Sequence, residues 1–346
     1  MEQNADLVAK AIKGSLSIID QDRERKIVEK RFGLDGQKET LEQIGETLSV
    51  TRERVRQLEK VILVRLRIAA SQGKIPDLAG AEKIIIRNLA ELGRVAKVTE
   101  LANKIFGNKA TNANHATICF LADISASLTV VTENDRYFNA IGIADAGDEK
   151  TIRGKVDEIV KIIKENKAPL TLDDLDNRLN YEHPSQIAAV ASVSKQLASL
   201  NGLWGLAKWP SVNPKNIRDK IYVILETNKE PMHFNDIASA IAESNFKRKN
   251  VTTQAIHNEL IKDPRFVLIG RGIYALDSWG YKKGTVSEII TDALKRAGRP
   301  LSREEIVAEV MKSRKVKETT ILLNLQNKKL FDKVDKNAFV LHEDKA

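Results

Sequence analysis

Between positions 51 and 60 the chain carries Thr51, Arg52, Glu53, Arg54, Arg56, Gln57 and Lys60: guanidinium forks, a carboxylate and an amide within three helical turns. At about 100° per residue, Arg52, Glu53, Arg56, Gln57 and Lys60 fall on one face. Val55, Leu58, Ile62 and Leu66 fall on the opposite one. These polar types can read base-pair edges: Arg grips guanine O6 and N7 with two N–H groups, Gln pairs with adenine, and Glu accepts from the cytosine amino group. On an ordinary helix an Arg/Glu-rich face is more often solvated and laced with local ion pairs. What precedes the face therefore decides its use.

Thr40 lies three residues before Gln43, the spacing of a capping box, and opens a short helix over Leu41–Leu48 in which Leu41, Ile44 and Leu48 line one side. Ser49 and Val50 make a tight connection, and Thr51 is the natural N-cap of a longer helix. Val50 and Val55 are placed as a hydrophobic staple across that cap. Cap, turn and staple together make a helix-turn-helix whose second helix presents the polar face N-terminus first, as a major-groove helix must.

Residues 22–35 (DRERKIVEKRFGLD), 40–45 (TLEQIG) and 50–59 (VTRERVRQLE) resemble region 4 of sigma-70-type sigma factors, a likeness running over about residues 18–67. The resemblance implies that Arg52, Glu53, Arg56 and Gln57 read a promoter −35 element. It implies that Arg23, Arg31, Thr51, Arg54 and Lys60 approach phosphates. It also implies that the first half of the region docks on the flap of the RNA polymerase β subunit. The loop between Arg31 and Thr40 is one residue shorter than the family's usual pattern. The aromatic and basic helix pair that melts the −10 element in sigma factors has no counterpart here; no Phe, Tyr or Trp precedes Phe32. The chain is thus not expected to act as a complete sigma factor.

After residue 80 an internal repeat takes over. Anchors Val95, Pro169, Pro231 and Pro300 each follow an amphipathic stretch, such as 217–225, and each has a Leu or Ile six residues on: Leu101, Leu175, Ile237 and Ile306. Proline suits such a turn because its fixed φ and missing N–H stop the first helix. Each block closes in a β-like stretch, at 128–141, 203–209, 266–276 and 330–341. Helix, turn, two helices and a hairpin spell a winged helix. The expected architecture is mainly α: a region 4-like helix-turn-helix at 1–75, then winged-helix units at 80–145, 150–211, 214–282 and 284–342. The third unit, 216–281, resembles the HARE-HTH winged helices found in the RNA polymerase delta subunit, through 229–237 (KEPMHFNDI), 265–267 (RFV) and 270–276 (GRGIYAL). The acidic tail of the delta subunit is absent.

Composition agrees. The 346 residues are 42% hydrophobic and 30% charged, with aromatics at 5%, so the cores rest on Leu, Ile, Val and Ala. A net charge of +9 favours a polyanionic partner. Cys119 is the single cysteine, which excludes an internal disulfide and a cysteine zinc site, and its apolar neighbours suggest core. His115, His183, His233, His257 and His342 show no paired acid and no ligand spacing, and Trp204 and Trp209 read as packing residues. Lys247, Arg248 and Lys249 read equally as a phosphate contact or a solvated turn. No phosphate-cradling loop, nucleophile elbow or carboxylate pair stands out. The reading is a non-enzymatic DNA-binding transcription factor with no cofactor or metal, expected in the cytoplasm at the bacterial nucleoid. Its partners are double-stranded promoter DNA and the polymerase β flap, with no membrane and no small-molecule substrate. The alternatives are a protein-interaction adaptor or polymerase accessory subunit, and a targeting subunit of a DNA-modifying system.

Overall fold

The computed structural model describes residues 2–108, 110–179, 181, 184–248, 250–335 and 337–342; His183 and Lys249 lie outside them. It is mostly helical with small antiparallel sheets and forms two compact units, Met1–Lys208 and Trp209–Ala346.

The first unit opens with α1 (Glu2–Ser17), α2 (Asp22–Phe32), α3 (Leu41–Leu48) and α4 (Arg52–Ser71). There follow α5 (Leu78–Glu91), β1 (Val95–Lys97), α6 (Val98–Phe106), α7 (Asn112–Ile124), β2 (Leu128–Val131) and β3 (Ala140–Ile143), with the strands in the order β1-β3-β2. The unit closes with α8 (Glu149–Asn166), α9 (Leu172–Asp176), α10 (Pro184–Ser192), β4 (Leu197–Leu200) and β5 (Leu203–Leu206). One apolar core runs through α1, α2, α4, α5, α6 and α7: Val8, Val28, Ile62, Leu66, Ile85, Leu101 and Phe120 all belong to it. The rings of Phe32 and Phe120 meet edge to face at 5.1 Å. Residues 1–75 and 80–145 therefore share this core, while a smaller apolar cluster around Ile27, Ile44 and Val55 lies within residues 1–75 alone.

The second unit contains α11 (Ile217–Asn228), β6 (Met232–His233), α12 (Phe234–Glu243), α13 (Thr253–Lys262), β7 (Phe266–Gly270) and β8 (Ile273–Leu276), with sheet order β6-β8-β7. After it come α14 (Val286–Ala297), β9 (Leu301–Ser302), α15 (Arg303–Ser313), α16 (Glu318–Leu325), β10 (Phe331–Asp335) and β11 (Ala338–Leu341), ordered β10-β11-β9. The chain after α15 runs along the edge of β7: Lys315 N–H donates to the Ile269 carbonyl at 2.9 Å, and the Arg314 guanidinium donates to the Leu268 carbonyl.

One local grammar recurs around the four anchors. Two residues before each, the backbone is left-handed: Gly93 (φ 92°), Lys167 (58°), Lys229 (56°) and Gly298 (60°). This conformation ends the preceding helix and aims the chain back along it. Two residues after each anchor stands the N-cap of the next helix, Lys97, Thr171, His233 and Ser302. Six residues after, Leu101, Leu175, Ile237 and Ile306 are fully buried. Pro169, Pro231 and Pro300 sit in turns, each just before the residue that pairs with a hairpin strand or begins a short one.

The second block corrects one expectation. Its hairpin lies at 197–206, not at 203–209, with strand β4 ahead of the expected stretch. Its segment, Leu-Ala-Ser-Leu, has neither β-branched nor aromatic residues, so nothing local marks it as a strand. The third strand is reduced to Leu170, which exchanges both backbone hydrogen bonds with Trp204 at 2.9 and 2.7 Å. Among the described residues no helix is long and apolar enough to cross a membrane.

Candidate nucleic-acid interface

The helix-turn-helix is built from short-range hydrogen bonds. Thr40 Oγ1 accepts the Gln43 N–H at 3.3 Å, and the Gln43 side chain accepts the Thr40 N–H at 2.8 Å, closing the capping box. At the far end of α3, Ser49 is left-handed (φ 53°). The Ser49 N–H donates to Glu46 O at 3.3 Å and the Val50 N–H to Gly45 O at 2.9 Å, a Schellman arrangement. Gly45 is required by contact rather than by φ, since a Cβ there would stand 2.6 Å from Val50 O. Thr51 Oγ1 then accepts the Arg54 N–H at 3.2 Å and starts α4. Beneath the turn Ile27, Ile44 and Val55 are buried, with Leu41, Leu48, Val50 and Leu58 packed against them, so the staple forms.

Cations hold this module to α2. Arg23 Nη2 donates to the Leu48 carbonyl at 2.8 Å and so covers the C-terminal end of α3, where the helix dipole favours positive charge. Arg65 pairs with the nearly buried Glu24 at 3.0 Å, tying α4 to α2.

The structure brings Arg52, Glu53, Arg56, Gln57 and Lys60 together on the exposed face of α4, with Thr51 and Arg54 exposed at its start. Side-chain pairing organises the face. Arg56 forks onto Glu53 through Nε and Nη2 at 2.8 and 2.7 Å, and Gln57 Nε2 lies 3.4 Å from the same carboxylate. The Arg56 guanidinium holds the Glu53 carboxyl below the usual carboxylate range and is itself raised by it. Arg52 Nη1 reaches back to Glu42 on α3 at 2.7 Å. These pairs are solvent-exposed and thus weak and salt-screened, so a base edge offering better geometry can take either partner. Arg54 and Lys60 form no ion pair among the described residues.

Two of the cations expected at phosphates are engaged elsewhere. Arg23 serves the Leu48 carbonyl, and Arg31 Nε donates to the half-buried Glu59 at 3.0 Å. Sequence reasoning missed the cap made by Arg23, because its partner is 25 residues away.

Several other side chains singled out in the sequence make contacts within the fold. Burial pushes the Cys119 thiol up, and Asn139 Nδ2 lies 3.2 Å from its sulfur. His233 Nδ1 accepts the Asn235 N–H and caps α12. His257 meets Phe234 at a tilt and Tyr274 edge to face. His342 corrects the expectation of unpaired histidines: its Nδ1 lies 2.7 Å from Asp332 across the β10–β11 hairpin. Trp204 is buried, Trp209 is half-buried, and Lys247 and Arg248 are exposed. Among the described residues no group of three or more His, Cys, Asp or Glu could hold a metal.

Comparison with known proteins falls on the same segment. The chain is 44% identical over 57 residues to RNA polymerase sigma factor SigA4 of Synechococcus elongatus, covering 16% of this chain and 18% of that protein. It is 46% identical over 56 residues to RNA polymerase sigma factor SigA of Clostridium acetobutylicum, covering 16% and 15%. The chain thus spans less than a fifth of the length of the curated relatives it matches. The family model described as "Sigma-70, region 4" matches residues 21–67, the segment that runs from the start of α2 through the exposed polar face of α4, and it is to this family that the segment is similar.

Proposed function

We propose that this protein is a DNA-binding transcription factor in which α4 enters the major groove at a −35-like promoter element, beside RNA polymerase. One observation carries the reading: the first turns of α4 present Arg52, Glu53, Arg56, Gln57 and Lys60 to solvent on a helix locked by cap, turn and staple. In this reading Arg52, Glu53, Arg56 and Gln57 contact bases, while Thr51, Arg54 and Lys60 meet phosphates. Arg23 and Arg31 support the module from behind through Leu48 and Glu59. Val28 and Phe32 of α2 join the shared core and Ile27 packs beneath the turn, and the exposed side chains of α2 are Asp22, Arg23 and Lys26. We assign a polymerase β-flap contact to that polar strip.

The four helix–turn–helix–helix–hairpin blocks are read as winged helices at 80–145, 150–211, 214–282 and 284–342, with the third HARE-HTH-like. The repeated anchor grammar supports this reading. A second role, as an adaptor, is favoured for the first two blocks. Past Asn112, α7 has no exposed residue, and Ile118, Phe120, Leu121 and Ile124 pack into the core shared with α4. In α10, Ile187 and Ala191 are fully buried, and the helix lies so close to Gly93 that a Cβ there would meet Ser185 O at 2.5 Å. Helices used in this way are not available to a groove. Fluorescence anisotropy of the full chain on −35-like and random duplexes, over a range of salt, tests the proposal. A steep salt dependence with preference for the −35-like site is expected, since phosphate neutralisation releases counterions. Salt-independent or absent binding overturns it.

A further inference from the structure

The second unit carries a concentration of cations that the region 4 module does not explain. Between Arg314 and Lys333 there are six Lys or Arg side chains and two carboxylates. Both carboxylates are already engaged, Glu318 by Arg303 at 2.8 Å and Asp332 by His342 at 2.7 Å. Arg314 is half-buried and donates to the Leu268 carbonyl. The other five, Lys315, Lys317, Lys328, Lys329 and Lys333, are all exposed and form no ion pair among the described residues. Side chains left unpaired at this density repel one another and are stabilised when an external polyanion supplies the missing charge.

Their placement selects the polyanion. Lys315 and Lys317 stand just before α16, Lys328 and Lys329 just after it, and Lys333 on the first strand of the hairpin that follows. The eight residues of α16 span about 12 Å, close to the ~12 Å width of the B-DNA major groove. Lysines at both ends of such a helix match phosphates on the two walls of the groove. The face between them carries the exposed Thr319, Thr320 and Leu323, uncharged side chains that can lie against base edges. The segment before α16 is held in place by the backbone bond from Lys315 to Ile269, so Lys315 is presented rather than trailing. In α13, Gln254 and Asn258 bond each other at 3.1 Å and Lys262 is the single Lys or Arg.

We propose that α16 and its five flanking lysines form a second duplex-DNA contact. It binds the phosphate backbone without sequence preference, while α4 supplies the address. The inference rests on charge and exposure in the second unit and stands apart from the base readout assigned to α4. The test uses the full chain and a random-sequence duplex. Anisotropy is followed from about 50 to 300 mM salt for the wild type and for K315Q/K317Q/K328Q/K329Q/K333Q. Each lysine on a phosphate contributes about 0.9 to the slope of log K against log salt, so the slope should fall by roughly 3 to 5. Affinity for random duplex should drop at least tenfold, and the ratio of −35-like to random binding should stay constant. The matching arginine variant should keep the wild-type slope. A control with Lys13, Lys74, Lys150, Lys167 and Lys208 changed to Gln, all exposed in the first unit, should leave most of the slope in place. An unchanged slope in the five-lysine variant, equal losses in the control, or tighter binding to single-stranded DNA or RNA of equal length would overturn the proposal. If instead the α4 reading fails, the wild type shows no −35 preference while the lysine-dependent slope persists.

Discussion

The same substitution, glycine to alanine inside a helix, should have opposite signs at two positions of this protein. Alanine is preferred over glycine in a helix interior by about 0.8–1.0 kcal/mol. Gly154, in the exposed face of α8, has nothing within 4 Å of the site its Cβ would occupy, so Gly154→Ala should collect that gain in full. Gly45, in α3, has Val50 O only 2.6 Å from its would-be Cβ, with Arg52 N at 3.5 Å behind it. Both are backbone atoms of the turn, and Val50 N–H is already bonded to Gly45 O, so neither can move without opening the Schellman turn. Overpacking of this kind costs about 1–3 kcal/mol, which outweighs the helical gain and leaves a net loss of about 1 kcal/mol. Two packed units need not melt in one step, so the assay is amide hydrogen exchange read locally. Gly45→Ala should speed exchange at Ser49, Val50 and Arg54 by about fivefold, since 1.4 kcal/mol is a factor of ten. Gly154→Ala should slow exchange in α8. Slower exchange at the turn in Gly45→Ala would refute the claim that backbone contact selects glycine there.

Three further outcomes follow from geometry. Lys167 and Lys229 hold left-handed backbone at the ends of α8 and α11, so Lys167→Gly and Lys229→Gly should each stabilise by about 1 kcal/mol, whereas Gly93→Ala should destabilise; denaturant titration of each variant checks the signs. Arg23→Ala removes the side chain on the Leu48 carbonyl and should loosen α3 by about 0.5–1 kcal/mol in hydrogen exchange while leaving the salt slope of DNA binding intact; a slope reduced by about 0.9 would make Arg23 a phosphate ligand instead. Arg299 and the Ser302 N–H push the Glu305 carboxyl down to about 2. Its folded value lies below the ordinary ~4.3 of an unfolded glutamate, so its stabilisation of the α15 cap is fully present above that pH and disappears as pH falls towards 2. Side-chain NMR titration showing Glu305 at an ordinary value would contradict the cap geometry.

How much was legible in the sequence depended on how far apart the interacting residues lie. Thr40 with Gln43, Thr51 with Arg54, and Val50 with Val55 interact across three to five residues, and each was readable because the pattern that signals the contact also makes it. The anchors were readable for the same reason: proline stops a helix, and a residue six positions later returns to the core. Strand β4 was not, since its pairing with β5 compensates for residues of low strand preference. The left-handed Lys167 and Lys229 were also hidden, because a lysine gives no sign that the neighbouring helices impose a glycine-like backbone on it. The Arg23–Leu48, Arg65–Glu24 and His342–Asp332 contacts depend on how elements pack. So does the burial of α7 and α10, which decides that helices able in principle to enter a groove are spent on packing. On α4 the chemistry of the face was legible, but not the Glu53–Arg56 fork or the Arg52–Glu42 pair, which depend on where each side chain turns.

The central claim is that α4 reads base sequence rather than merely carrying charge. Glu53→Ala addresses it most directly, because the change removes a base acceptor and frees Arg56 without removing a cation. Affinity for −35-like and random duplexes would be measured side by side for the wild type, Glu53→Ala and Lys60→Gln. On this account Glu53→Ala lowers the preference for the −35-like duplex by between about fivefold and a hundredfold, the range of one lost base pairing, and leaves random binding nearly unchanged. Lys60→Gln weakens both duplexes alike and lowers the salt slope by about 0.9. Equal losses on both duplexes for Glu53→Ala, or no preference in the wild type, would contradict the account.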